Sequence, residues 1–265
     1  MALESNDLDD LRRAVTLLEK KRFIARLTHY AGQPLEKMMA TLPPAVTENV
    51  NKVVRNTVSR LLEMTLKTLG REPRRLASPR FHKLAGGLSG AVGGAFGLSA
   101  LAVELPLSTA IMLRSIADIA RSEGEDITSV ESRLACLEVF ALGGEAAGDD
   151  DADTGYYAVR ASMAKILRDA AQHIARSGLS AKGAPVLVRF ISGIASRFGA
   201  LVSEKVAAQA VPIIGAAGGA GINLLFITHF QETARGHFIV RRLERIYGQE
   251  TVRQAYHEIA RSREP

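Results

Sequence analysis

Two long stretches without a formal charge constrain the fold of this 265-residue chain more than any other feature. The first runs from Leu84 to Val103 and the second from Val206 to Gln231. Apolar stretches of this length are buried in a protein core or in a bilayer. A helix from Val206 to Thr228 would be about 35 Å long, enough to cross a hydrocarbon layer of about 30 Å. The first stretch is diluted by Gly, Ala and Ser and the second by Gln209, Pro212 and Asn223. We therefore expect packed helices or a membrane-contacting hairpin rather than two firm spans.

Glycines in both stretches recur every four residues, which places them on one face of a helix. They are Gly86, Gly90 and Gly94 in the first stretch, and Gly215 and Gly219 in the second. Such a stripe lets a neighbouring backbone approach closely, so we interpret these residues as helix-packing glycines. A nucleotide-binding loop is excluded because no Lys and Ser/Thr follow the glycines and no strand precedes them.

Apolar residues recur at helical spacing nearly throughout the chain, without a convincing strand pattern. We therefore predict one all-α domain over residues 1–265, with about eight to ten helices around the two Gly/Ala-rich apolar helices. The predicted bounds include a first helix capped by Asp7, a second capped by Thr47, and helices near Leu105–Ser122, Ser129–Leu142, Tyr156–Ser177 and Pro185–Ala210. No linker is long enough to divide the chain.

Charge and cysteine content restrict the partners and the compartment. The formal net charge of +6 suits an anionic surface such as the inner leaflet of a membrane. No nucleic-acid-binding module is recognisable and few aromatic residues could stack on bases, so nucleic acid is not an expected partner. The single cysteine, Cys136, rules out an intramolecular disulfide. We expect a cytoplasmic protein that associates peripherally with the membrane.

Polar side chains within apolar helices are the candidates for a ligand or metal site, because burying a charge is costly unless it is paired or functional. Glu104 directly follows the first uncharged stretch. His229 and Glu232 lie on one face of a predicted helix, and His237 lies two turns further on. Imidazoles and carboxylates from separate helices can hold a divalent metal. However, the H-x-x-E order reverses the E-x-x-H of di-iron proteins, and HExxH is absent.

The alternative is that the buried charges pair with one another. Candidates for this pairing are the polar residues that interrupt other apolar faces, namely Arg114, Asp118, Glu138, Asn223, Arg241 and Glu244. We predict on this interpretation that Glu104, Glu138 and Glu244 pair with Arg114, Arg241 or Arg242. No cofactor is then expected, and a divalent metal belongs only to the alternative above.

Several sequence blocks follow one another from about Phe81 to the C-terminus. They are ELPLSTAIMLRSIADIA, CLEVFALGG and YYAVR, and then the two most specific ones, RFGALVSEKVAAQAVPIIGAAGGAGIN at Arg197–Asn223 and HFQETARGHFIVRRLERIYG at His229–Gly248. Through these blocks the chain resembles the EcsC family, whereas residues 1–80 are less specific. The resemblance implies a mostly helical bacterial protein, cytoplasmic or membrane-associated. The family is named for a protein encoded beside an ABC transporter, which makes such a transporter the implied partner. It supplies no catalytic residues.

The sequence thus leaves functions of different classes open. We predict a non-enzymatic, membrane-associated binding or accessory protein that contacts lipid, an apolar ligand or an integral-membrane partner. The alternative is a metal-dependent hydrolase or other metalloenzyme that uses Glu104, His229, Glu232 and His237. A third is a soluble scaffold whose glycine-rich helices form only core.

Overall fold

Helices account for nearly all of the described structure. The computed structural model describes residues 3–19, 27–29, 34–40, 42–69, 101–144, 155–178, 184–209 and 215–262. Within these ranges there are nine helices and no strand, namely α1 (Ser5–Leu18), α2 (Leu35–Ala40), α3 (Pro44–Thr68), α4 (Leu101–Ser122), α5 (Val130–Leu142), α6 (Gly155–Ser177), α7 (Pro185–Gln209), α8 (Gly215–Tyr247) and α9 (Gln249–Arg261). The predicted all-α domain of eight to ten helices is confirmed for this part of the chain.

Helix α5 lies at the centre of the bundle because it is buried around nearly its whole circumference. Its residues from Leu134 to Ala141 are all buried, including Cys136. A helix that is apolar on every side can be stable only when other elements surround it. Helices α3, α4, α6, α7 and α8 do so. Ser129 caps its N-terminus, since the Ser129 Oγ accepts a hydrogen bond from the Ser132 N–H at 3.1 Å.

Helix α8 is the longest element, with 33 residues and a length of about 50 Å. It packs against α1, α4, α5, α7 and α9. The main core is built around four phenylalanines from α5, α7 and α8, whose contacting rings have centroids 5.1–5.9 Å apart: Phe140, Phe198, Phe226 and Phe230. A second core lies between α1, α6, α9 and the C-terminal half of α8 and includes Leu11, Val15, Tyr156, Tyr157, Leu243 and Tyr256.

Ion pairs hold α1 against the far end of α8. The Arg242 guanidinium binds carboxylates of Asp7 at 3.2 Å, Asp10 at 2.5 Å and Glu123 at 3.0 Å. The absence of a side chain at Gly236 lets α1 come close, because a Cβ there would lie 2.7 Å from the Cγ of Leu18. Charge pairing and close backbone approach therefore act together at this junction.

The predicted helix Pro185–Ala210 agrees with α7 to within one residue. The span considered from Val206 to Thr228 includes residues 210–214, which lie outside the described residues.

Three predicted helix starts are wrong. Helix α4 begins at Leu101 and not near Leu105. Helix α1 begins at Ser5, before the predicted cap, and α3 begins at Pro44 because proline suits the first turn of a helix.

The glycine stripes can be located only in part. Gly86, Gly90 and Gly94 lie outside the described residues, as does most of the first uncharged stretch. Gly215 and Gly219 lie in the first turns of α8. A close approach is instead present at Gly144, where a Cβ would lie 2.6 Å from the backbone oxygen of Arg197 in α7.

Gly144→Ala should lower the free energy of unfolding by about 1–3 kcal/mol. The added Cβ would overlap backbone atoms of α7, which cannot rotate away as a flexible side chain can. Gly155→Ala is the matched control, since a Cβ at Gly155 meets nothing within 4 Å. Urea unfolding followed by circular dichroism measures both variants. Equal stability of the two variants would show that α7 does not approach Gly144 this closely.

Candidate functional site

A fully buried lysine, Lys205, lies between α4, α7 and α8. Its ammonium group donates a hydrogen bond to Oε1 of Glu104 at 2.6 Å and another to Oδ1 of Asn223 at 2.8 Å. It also lies 5.0 Å from the centroid of the Phe226 ring, which is the geometry of a cation–π contact. Burial lowers the pKa of Lys205, and the Glu104 charge opposes that effect. We refer to Lys205, Glu104 and Asn223 as the lysine cluster.

The lysine cluster corrects the prediction for Glu104. This carboxylate pairs with Lys205 and not with Arg114, Arg241 or Arg242. Lys205 is absent from the residues that the sequence patterns single out, although a signal was present. It is the last charge before the second uncharged stretch, and Glu104 is the first charge after the other stretch. Two opposite charges at the edges of two apolar stretches are well placed to meet when those stretches pack together.

A second buried group of polar residues surrounds His237, which is fully buried in α8. The Nδ1 atom of His237 lies 2.9 Å from the hydroxyl of Tyr156 in α6. Arg160 donates to that hydroxyl at 3.4 Å, which leaves the tyrosine hydrogen free to point at Nδ1. Neutral His237 then carries its own hydrogen on Nε2. That atom lies 3.9 Å from Oε2 of Glu138 and has no hydrogen-bond partner among the described residues.

Arg160 of α6 and Glu244 of α8 complete this group of polar residues. The guanidinium of Arg160 binds both carboxylate oxygens of Glu244, at 2.7 and 2.6 Å. The Tyr157 hydroxyl donates to the same carboxylate at 3.3 Å. Glu244 therefore pairs with an arginine other than those predicted. We refer to Glu138, Tyr156, Arg160, His237 and Glu244 as the histidine cluster.

Burial decides the protonation of the two central residues. It raises the pKa of Glu138 to about 7, although the charges of Arg160 and Arg241 act in the opposite direction. Burial also lowers the pKa of His237 well below its usual value, and the same two arginines add to that shift. Near neutral pH, the site thus holds a neutral imidazole beside a carboxyl group that is close to its titration midpoint. Such a pair can hold a proton away from solvent.

The remaining predicted residues lie apart from both clusters. Arg241 binds Glu125, in the turn between α4 and α5, at 2.8 and 3.2 Å. Asp118 is half-buried and binds Arg121 at 2.8 Å, one turn along α4. Arg114 lies on the exposed side of α4, so the prediction that it is buried is wrong.

The four predicted metal ligands do not converge. The Nε2 of His229 lies 2.8 Å from the backbone oxygen of Gly143, and Glu232 is half-buried on α8. His237 is eight residues beyond His229, or about 12 Å along the helix. Across the described ranges, no group of three or more His, Cys, Asp or Glu residues could hold a metal ion. Nothing in this part of the chain therefore supports the divalent-metal alternative.

Comparison with known families places these clusters in context. The model of the EcsC protein family matches residues 6–243. The chain belongs to the EcsC protein family. The EcsC match extends further towards the N-terminus than the resemblance from Phe81, and so includes α1, α2 and α3. The whole lysine cluster lies within it, whereas Glu244 of the histidine cluster lies one residue beyond. No curated protein and no solved structure matches the chain.

Lys205→Met should destabilise the protein by about 3–5 kcal/mol, because it leaves the buried Glu104 charge without its partner. Adding Glu104→Gln removes that charge and should restore most of the loss. Chemical unfolding of the two single variants and the double variant gives the coupling energy. Additive single effects would contradict a direct pairing of Lys205 with Glu104.

Glu138→Gln should change how stability depends on pH. In the folded protein the pKa of Glu138 is about 7, above its ordinary value of 4.5. The wild-type protein should therefore lose stability relative to Glu138→Gln as the pH rises from 4.5 to 7, by about 3 kcal/mol. Unfolding at a series of pH values measures this difference.

His237→Gln serves as the control of opposite sign. The folded pKa of His237 is lowered, so the stability that depends on its neutral form is lost as the pH falls below about 6.5. A stability difference between wild type and Glu138→Gln that does not vary with pH would show that folding leaves the pKa of Glu138 at its ordinary value.

Proposed function

We propose that this EcsC protein is a membrane-associated binding or accessory protein that works at a bilayer surface and not by catalysis. The observation that carries the proposal is the character of α7. In the described part of the chain, α7 (Pro185–Gln209) is the one helix that is long and apolar enough to cross a membrane by length and composition. Only half of its most apolar 18-residue window is buried. Its outer side is therefore available to an apolar environment.

The packing of α7 favours surface association over a span. This helix lies against α2, α3, α5, α6 and α8 and contains the buried Lys205. Surrounding α7 with lipid would require these contacts to separate and the Lys205–Glu104 pair to break or enter hydrocarbon. Contact with lipid through the exposed side of α7 requires neither change.

Exposed apolar side chains give further support. Val103 and Leu107 lie one turn apart on α4 and are 74% and 53% exposed, and Leu224 is exposed on the neighbouring α8. Large aliphatic side chains on adjacent helices suit contact with acyl chains or with an apolar surface of an integral-membrane protein. The family resemblance points to an ABC transporter as such a partner. The formal net charge of +6 suits the anionic inner leaflet, on which a cytoplasmic protein would meet such a transporter.

Untagged protein should co-sediment with vesicles that contain phosphatidylglycerol, and much less with pure phosphatidylcholine vesicles, because the net positive charge adds to apolar contact. Val103→Ser combined with Leu107→Ser should weaken binding several-fold, since about 0.8 kcal/mol is lost for each CH₂ group no longer buried in lipid.

Ile246→Ser is the matched control, because Ile246 has the same exposed fraction as Leu107 but lies near the C-terminal end of α8. A wild-type protein that stays in the supernatant with every vesicle, and that carries no apolar ligand detectable by mass spectrometry, would overturn the proposal.

A further inference from the structure

We infer that the protein meets the bilayer through the outer surface of α2, α3, α6 and α7, where lysines and arginines bind the phosphates of anionic lipid headgroups. This inference rests on the proposed function and adds a charged surface to the apolar contacts of α4, α7 and α8 proposed above. Helix α7 packs directly against α2, α3 and α6, and these four neighbouring helices are here called the layer.

Positive charge is concentrated on the exposed positions of this layer. Its exposed cationic side chains, here called the basic face, are Lys37 on α2, Lys52, Arg55, Arg60 and Lys67 on α3, Lys165, Arg168 and Arg176 on α6, and Arg189 on α7. Lys67 pairs with the half-buried Glu63 on the same helix, at 2.5 Å. Among the side chains described on the same helices, the exposed carboxylates are Glu48 and Asp169. Among the described side chains of these helices, nine exposed cations therefore stand against two exposed carboxylates.

On α1 and α9, by contrast, exposed cations and exposed carboxylates are nearly balanced. Their exposed cations are Arg12, Arg13, Arg253 and Arg261, and their exposed carboxylates are Asp9, Glu250 and Glu258. Two of these arginines form local pairs, Arg12 with Asp9 at 2.7 Å and Arg253 with Glu250 at 3.0 Å. The excess charge is thus not spread evenly over the molecule, and the basic face has the stronger positive potential.

The position of α7 identifies a bilayer as the partner that this charge fits. The apolar helix lies within the layer, and its exposed Val188 is adjacent to Arg189. A lipid surface offers phosphates and acyl chains together, and long basic side chains can reach the phosphates while aliphatic groups contact the apolar region. Nucleic acid also offers phosphates, but the chain has no Trp and the basic face has no exposed aromatic residue in the described helices for stacking on bases.

Charge reversal on the two sides of the molecule tests the inference. The basic-face variant combines Arg55→Glu, Lys165→Glu and Arg168→Glu. The control combines Arg12→Glu, Arg13→Glu and Arg253→Glu, and both variants lose the whole formal charge of +6. Circular dichroism and gel filtration verify that each variant is folded. A second basic-face variant with Gln at the same three positions distinguishes loss of attraction from repulsion.

Binding is measured by co-sedimentation with vesicles of phosphatidylcholine and phosphatidylglycerol. The basic-face variant should bind about a hundredfold more weakly than wild type, because each lysine or arginine near an anionic leaflet contributes about 1 kcal/mol. The control should change binding by less than about threefold, because its residues lie away from the lipid. Wild-type binding should also weaken as salt is raised from about 0.05 to about 0.5 M.

The outcomes separate this inference from the proposed function. Equal loss of binding in the two variants would show that the basic face is not the lipid-binding surface, but it would not contradict membrane association itself. Failure of the wild type to bind any vesicle would overturn both. Tighter binding of the wild type to duplex DNA than to anionic vesicles at the same salt, lost in the basic-face variant, would show that the partner is nucleic acid.

Discussion

The cost of burying charge in a helical bundle governs the arrangement of this structure. Each buried ion needs a partner, and here the partner comes from a different helix. Lys205 joins α7 to α4 and α8, while Arg160 joins α6 to α8. Apolar contacts alone would tolerate small shifts of one helix along another. A short hydrogen bond between charged groups does not, so these pairs fix the register in which the apolar faces meet.

The two clusters use this constraint differently. In the lysine cluster, the ammonium group of Lys205 donates hydrogen bonds to a carboxylate and to an amide oxygen. These hydrogen bonds connect α7 to α4 and α8. In the histidine cluster, the Nε2 atom of His237 remains without a hydrogen-bond partner among the described residues, and it faces the Glu138 carboxyl at 3.9 Å. Unsatisfied polar atoms in a core are costly, so this second cluster is the better place to look for a change in protonation.

The sequence was sufficient for the fold class because helical periodicity and helix length are local properties. It gave the ends of α5, α6 and α7 to within a residue or so for the same reason. It pointed to Glu104, Glu138, His237 and Glu244 as polar residues of the core, since each interrupts an apolar face. It did not identify their partners, because Lys205, Tyr156 and Arg160 come from other helices and their distance along the chain carries no signal. Arg114 was misplaced for a related reason, since its helical position places it on the outer side of α4.

The pairing of Arg242 with Asp7 and Asp10 has a consequence for how the chain is made. These residues are separated by 235 and 232 positions. On the ribosome, α1 is synthesised well before the side of α8 that covers it. The apolar residues of α1, such as Leu11 and Val15, therefore stay without these final neighbours while the intervening residues are added. Helix α1 is thus made early but buried late, and until α8 has been synthesised it is exposed to chaperones and proteases.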